Sequence, residues 1–215
     1  MIRHMQLTMT SIGLAVLLLL APLTTEIRAQ APTSGQPRQA VEVRFTMGDQ
    51  FDTQHDLGAY RGDVVVMIYG DRASSDANKT LGELLHVQFH PQAKGLPPAQ
   101  AQKAPPAPLP GLAPEQRSPN VHVLPVAVIG KVPNVVKGVI RSQFKRGASE
   151  VPVWLDFEDR MKTTFGMTSE VPNVVILDSQ GRLRYRLAGE VNQQHYQRLT
   201  QVIDQLRKEA AGVAQ

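Results

Sequence analysis

Val64-Val65-Val66-Met67-Ile68-Tyr69 is an unbroken apolar run rich in β-branched residues. A run without polar alternation predicts a central strand covered on both faces. The stretch from Gly70 to Ser75 is mostly polar, after which Leu81, Leu84, Leu85 and Phe89 recur at i, i+3, i+4 and i+8. That period puts them on one face of a helix. Ser74 or Ser75 stands where an N-cap belongs, and Pro91 ends the helix. Val121–Ile129 reads as a second buried strand, although Pro125 is awkward in a central position because it donates no ladder hydrogen bond. Val132, Val135, Val136, Val139, Ile140 and Phe144 trace a second helical stripe, expected to face the core, with Lys137, Arg141 and Lys145 on the opposite, solvated side.

Val41–Thr46 and Val151–Leu155 read as short strands, the second carrying the single tryptophan, Trp154, as a core residue. Asp156 precedes a short helix with Asp159 three residues on, an acidic variant of a capping box. Val174–Leu177, the turn Ser179-Gln180-Gly181 and Leu183–Leu187 form a hairpin. Tyr196, Leu199, Val202 or Ile203, Leu206 and Ala210 mark a last amphipathic helix with Asn192 as its N-cap. The order β-α-β-α-β-α-β-β-α predicts an α/β fold, with a central mixed, mostly parallel sheet flanked by helices and an antiparallel hairpin near its end.

Two regions fall outside this alternation. Arg3 and His4, the apolar run Ile12–Leu20, Pro22 and Ile27-Arg28-Ala29 have the layout of a secretory signal peptide, residues 1–29, cleaved after Ala29. Its apolar core of roughly a dozen residues is short of the ~20 that span a bilayer. Residues 30–40 read as a flexible lead-in to a domain over 41–211, followed by a tail, 212–215. The second region, Pro91 to Pro119, holds nine of the chain's 16 prolines. It reads as a surface insertion after the first core helix, polyproline-like or disordered, serving as a spacer or a docking site.

Composition then removes whole classes of chemistry. The 215 residues include no cysteine. Disulfides, zinc–thiolate sites, iron–sulfur clusters and all thiol chemistry are excluded. The net charge of +4 is too mild to argue for nucleic acid. Residues 91–150 carry eight Lys/Arg against two Asp/Glu, so the middle of the chain holds more than the whole net charge. That asymmetry favours a negatively charged partner, and the stripe of Lys137, Arg141 and Lys145 reads as a solvated face or as a contact for an acidic partner or anionic headgroups. No Gly-rich phosphate loop, zincin motif or nucleophile elbow is present, and no cofactor is implied.

The candidate site is the polar turn after the central strand. Asp71, Arg72, Ser74, Ser75, Asp76 and Lys79 crowd one helix start, where they read either as a pocket for an anion, a peptide backbone or a small ligand, or as a cap with a solvated charge cluster. A serine nucleophile would need a base, and no histidine is near in sequence. His86 and His90, four apart, share a helical face and could hold a metal with a third ligand from His122, His55 or His195; exposed helix histidines are the plainer reading.

With these residues in view, the chain resembles the thioredoxin-like superfamily, in particular its exported, TlpA-like redoxin branch. Three segments over about residues 43–208 carry the resemblance. Phe45-Thr46 through Asp56-Leu57-Gly58-Ala59-Tyr60-Arg61-Gly62-Asp63-Val64-Val65 is similar to the family's opening hairpin and lead into the central strand. Phe165-Gly166-Met167-Thr168-Ser169-Glu170-Val171-Pro172-Asn173-Val174-Val175-Ile176-Leu177-Asp178 is similar to its proline loop and following strand. Gly181-Arg182-Leu183 through Gly189 is similar to its closing hairpin. The resemblance implies a cis peptide at Val171-Pro172 and a site where that loop meets the 71–76 turn. It also places the family's Cys-x-x-Cys at Ala73 and Asp76, which cannot exchange a disulfide. A cysteine-free exported subgroup, the YtfJ-like proteins, has a similar polar turn.

Three functional expectations follow. The first is an exported, redox-inactive module that binds a protein or peptide through the former active-site groove, at Asp71, Arg72, Ser74, Ser75, Asp76, Val171 and Pro172. The second is a redoxin-family oxidoreductase with non-thiol or partner-supplied chemistry, and the third a histidine-based metal-handling protein. No nucleic-acid partner and no stable membrane insertion after signal cleavage are expected; the oligomeric state is open.

Overall fold

The computed structural model of the chain describes residues 42–113, 115–147 and 150–213. The expected signal segment and lead-in lie outside these residues. All described residues belong to one compact unit.

The chain opens with a small antiparallel hairpin, β1 (Thr46–Gly48) and β2 (Gln54–Asp56). The strand expected at Val41–Thr46 is not there. Among its described residues Glu42 makes only an isolated bridge to Arg182, and pairing starts at Thr46. The shift has a local cause: the buried Asp49 carboxylate accepts hydrogen bonds from Phe51 N and Thr53 N and pins the hairpin turn downstream.

A short 3-10 turn, Leu57–Tyr60, leads into β3 (Val64–Gly70), in which every residue is buried. α1 (Ser75–Phe89) follows, then a helical turn α2 (Pro98–Ala101), β4 (Val121–Val128), α3 (Asn134–Gly147), β5 (Trp154–Asp156), α4 (Arg160–Phe165), β6 (Asn173–Leu177), β7 (Leu183–Ala188) and α5 (Gln193–Ala211). The main sheet has the order β5-β4-β3-β6-β7. β3, β4 and β5 pair in parallel, and β6 is antiparallel to both β3 and β7. This is the expected mixed sheet flanked by helices.

β3 explains how both faces are covered. Val64, Val66 and Ile68 point to one side, where Leu81, Leu85 and Phe89 of α1 meet Leu199, Ile203 and Leu206 of α5. Val65, Met67 and Tyr69 point to the other, against Met47, Leu57, Trp154, Met161 and Phe165. Successive strand side chains alternate faces, so a strand apolar at every position needs a layer on each. Pro125 fits because the β4–β5 ladder begins only at Val126, leaving β4 an open edge at that point. Leu84, expected on the inner face of α1, is exposed.

Two expectations are corrected. α3 fully buries none of its residues: of the expected stripe Val135, Val136 and Val139 are exposed, and Val132, Ile140 and Phe144 are half-buried. The cations of Lys137 and Arg141 instead lie 5.5 and 5.4 Å from the Phe157 ring centre, and Arg141 pairs with Asp52 at 3.1 Å. Cation–π contact and the alkyl stems of the basic residues attach the helix.

The second correction concerns the proline-rich segment, which folds onto the end of the sheet rather than trailing as an extended or disordered run. Ala93 and Leu109 are buried. Ala107 N donates to Phe89 O at 2.7 Å. Arg207 of α5, only 2% exposed, donates through Nε to Pro119 O and through Nη2 to Ala107 O and Ser118 Oγ. At the start of β3, Asp63 accepts from both terminal nitrogens of Arg117 and from Asn120 N. Burial pushes the Asp63 carboxyl up, but Arg117, His122 and the Asn120 N–H outweigh it and hold the group below the usual range. Composition shows the prolines; it does not show the arginines that fasten them.

Candidate functional site

The central strand ends at Gly70, and the chain turns through Asp71 into α1. Neither serine caps this helix through its hydroxyl. Ser74 is the N-cap residue and makes no side-chain cap hydrogen bond; Asp71 Oδ1 accepts from Ser74 N at 3.2 Å in its place. The Ser74 hydroxyl donates back to Asp71 O at 3.0 Å and accepts from Asn78 Nδ2 at 3.3 Å. At 1% exposure, Ser74 braces the turn from beneath.

The second oxygen of Asp71 reaches another part of the chain. Oδ2 accepts from Glu170 N at 2.9 Å, across 99 positions of sequence. This bond ties the turn to the proline loop, so the two expected halves of the site do meet. The Glu170 N–H, joined by Ser74 donors, holds the Asp71 carboxyl below the ordinary carboxylate range despite its partial desolvation.

The loop is held from inside as well. Tyr69 on β3 and Asn173 on β6 are Cα partners across the ladder. The Tyr69 hydroxyl donates to Gly166 O at 2.6 Å. Burial pushes its phenol up to about 12, against the pull of the Arg186 charge. Asn173, fully buried, brackets the loop: Oδ1 accepts from Thr168 N, and Nδ2 donates to Thr168 O and Val171 O. Three buried or half-buried side chains, Tyr69, Asp71 and Asn173, thus fix residues 166–171.

The Val171–Pro172 peptide is trans, since the described residues include no cis bond. The cis bond implied by the resemblance is therefore corrected. The chain changes direction one residue earlier, where Glu170 takes a left-handed conformation with φ 66°. Such a conformation is uncommon for a residue with a side chain and persists only where its surroundings hold it. The Asp71 hydrogen bond on Glu170 N and the Asn173 bracket supply that hold.

The sequence-derived residues divide by exposure. Arg72, Ala73, Ser75 and Asp76 are exposed, Asp71 and Val171 are half-buried, and Ser74 and Pro172 are buried. Ser169 and Glu170 on the loop are exposed as well. Tyr69, Asn173, Asn78 and Glu170 were missed by sequence reasoning. The signal for the first and third lay in a polar atom at a strand end or on the first helical turn; Asn173 follows Pro172 directly.

The histidines do not converge. His86 and His90 stack at 4.4 Å. The His90 ring nitrogens lie 3.1 Å from His86 O and 2.7 Å from Asn120 Oδ1, and burial lowers its pKa against the Asn120 hydrogen bond. His122 Nε2 is 3.0 Å from Asp63, His55 Nε2 is 2.9 Å from Asp49, and His195 Nδ1 is 2.8 Å from Glu190 O. Among the described residues no three His, Asp or Glu side chains are grouped to hold a metal ion.

The fold is thioredoxin-like. Its strand order and directions, with α1 leading away from the central strand and the hairpin β6–β7 closing the sheet, carry that assignment. No family model matches the sequence. No curated protein sequence matches it either. Similar solved structures include a pneumococcal exposed lipoprotein thioredoxin (Streptococcus pneumoniae strain TIGR4), at 14% identity and TM-score 0.49 over 76% of this chain and 99% of that one. A secreted thiol-disulfide isomerase from Corynebacterium glutamicum aligns at 13% identity and TM-score 0.49, over 78% of this chain and 85% of its own. A DsbF homologue from Corynebacterium diphtheriae aligns at 15% and 0.48, over 81% and 96%. Likenesses at this level bring no activity to a chain without cysteine.

Proposed function

We propose that this chain is an exported, cysteine-free thioredoxin-like module that binds an extended segment of a protein partner on the ledge between the 71–76 turn and the proline loop. The observation that carries this reading is the Asp71–Glu170 hydrogen bond. It makes one rigid surface of two loops and leaves Arg72, Ser75 and Asp76 exposed along it. A rigid ledge lowers the ordering cost of binding. Val171 N makes no hydrogen bond among the described residues, which leaves it a donor for strand-like pairing with an extended peptide under this reading. Arg72 and Asp76 offer opposite charges a few residues apart, which favours a mixed-charge partner over a simple anion. Export rests on the N-terminal layout, and the reading needs no electron transfer.

The test is photo-crosslinking in the native cell with a probe at Ser75 and a control probe at Gln205. The expected result is a partner captured at Ser75 alone and lost in the Arg72→Glu variant. Equal capture at both positions, or capture indifferent to Arg72, overturns the assignment.

A further inference from the structure

α3 turns one side inward, with Lys137, Ile140, Arg141 and Phe144 half-buried, and leaves three valines on the other side uncovered. Val135, Val136 and Val139 are 85%, 40% and 55% exposed, while Lys137 and Arg141 face Phe157. Turning the helix over would bury the valines by the usual rule. The fold instead attaches the helix through the basic stems, with Ile140 and Phe144 half-buried beside them, and presents an apolar ridge.

The charges around the ridge are one-sided. The helix carries Lys137, Arg141, Lys145 and Arg146 and no acid, and Lys131 lies just before it. Nearby acids are mostly engaged, Asp52 with Arg141 at 3.1 Å and Glu158 with Arg160 at 2.6 Å. Asp159, beside Gly130, is the exception. Lys131, Lys145 and Arg146 form no ion pair among the described residues.

We propose that this face of α3 docks on an anionic lipid surface, with the valine ridge in the headgroup boundary and Lys131 and Arg146 against phosphate groups. Charge complementarity selects an anionic occupant. A second copy is disfavoured, because the ridge is bracketed by cations at both ends and either helix orientation in a pair sets like charges together. A folded acidic protein is disfavoured by the ridge itself. It offers short β-branched side chains and no exposed aromatic or leucine anchor, whereas specific interfaces centre on such anchors. A headgroup layer needs no matching shape. Three valines bury too little area to hold the protein alone, so the contact depends on charge and weakens with salt.

The absence of cysteine allows a site-specific test on the full chain. An environment-sensitive dye is placed at Gln143→Cys, exposed on the valine side of α3, or at Gln205→Cys, exposed on α5. The dyes report position, so an N-terminal segment that also meets lipid does not confuse the reading. With vesicles of one part phosphatidylglycerol to three parts phosphatidylcholine, the dye at 143 is expected to shift to the blue and to be quenched by brominated chains. The dye at 205 should not respond. Pure phosphatidylcholine and ~0.5 M salt should abolish the signal. Val135→Asp with Val139→Asp, and separately Lys131→Glu with Arg146→Glu, should each lower the partition coefficient about tenfold or more with an unchanged circular dichroism spectrum. The proposal fails if the dye at 143 responds equally to both vesicle types, or if neither double variant weakens the response. It also fails if sedimentation shows a dimer abolished by Val139→Asp, or if 143 responds to an acidic amphipathic peptide and not to vesicles.

Discussion

Asp71 Oδ2 and Glu170 N are joined by a hydrogen bond of 2.9 Å, and the same carboxylate also receives Ser74 N through its other oxygen. One side chain therefore closes a helix start and anchors a loop 99 positions away in sequence. Replacing Asp71 by Ala removes both acceptors. The expected cost is about 1–2 kcal/mol, with faster amide exchange at Ser74 and Glu170 and little change on β7. Chemical denaturation with hydrogen-exchange mass spectrometry reads both.

The same carboxylate sets an acid response. Its folded-state pKa lies below its unfolded value, so the stability it contributes is present above the unfolded pKa and lost as pH falls through the folded one. Asp63 and Asp178 shift in the same direction. The fold is expected to lose stability steadily as pH drops below about 4. Asp71→Asn should lose less over that interval than the parent chain, as urea midpoints at a series of pH values will show.

Tyr69 gives the opposite sign. Its phenol is raised to about 12, so its contribution is complete below pH 10 and disappears as pH rises through the folded value. Tyr69→Phe keeps the ring against Phe165 and removes only the hydroxyl to Gly166 O. A loss of about 1–1.5 kcal/mol is expected. The latest step in the alkaline absorbance titration should vanish with it.

Much of this architecture was visible in the pattern of residues, and the reasons differ by element. Val64–Gly70 could be read because a strand covered on both faces has to be apolar throughout, and α5 because its stripe and its Asn192 cap agree. α3 was misread because its stripe is equally regular; periodicity locates an apolar face but does not say what it meets. The outcome turned on Phe157 and Asp52, distant in sequence and unmarked by any motif. At the site, Ser74 or Ser75 was legible as a cap, but that Asp71 supplies the accepting oxygen and Ser74 the N–H depends on geometry. The partner at Glu170 was beyond reach, because a backbone N–H leaves no trace in the identity of its residue.

Asn173 carries three hydrogen bonds to the loop backbone, two of them as donor. Asn173→Asp is nearly isosteric but has no amide donors and turns a carboxylate on Thr168 O and Val171 O. It should destabilise by about 3 kcal/mol at neutral pH, and by less in acid, where the protonated acid regains one donor. Denaturation at pH 7 and pH 4.5 separates the two states. Equal losses would show that the bracket does not govern the loop.

Arg207 is the corresponding fastener for the proline-rich segment. Arg207→Leu fills similar space but leaves Ala107 O and Pro119 O without their donor. The expected loss is about 2–4 kcal/mol, with protease cleavage appearing within residues 104–119. α3 should keep its protection, because Lys137 and Arg141 attach it independently.

The position of that fastener has a consequence for synthesis. The segment from Ala107 to Pro119 leaves the ribosome long before residue 207, which lies 88 positions beyond Pro119. Until α5 emerges and docks, Ala107 O, Ser118 Oγ and Pro119 O lack the Arg207 guanidinium, and the segment is held by Arg117 on Asp63 and by the Ala107 N–H on Phe89 O. A nascent chain that has not reached α5 is therefore expected to hold this segment less firmly, and to leave it more open to proteases, than one in which α5 has docked.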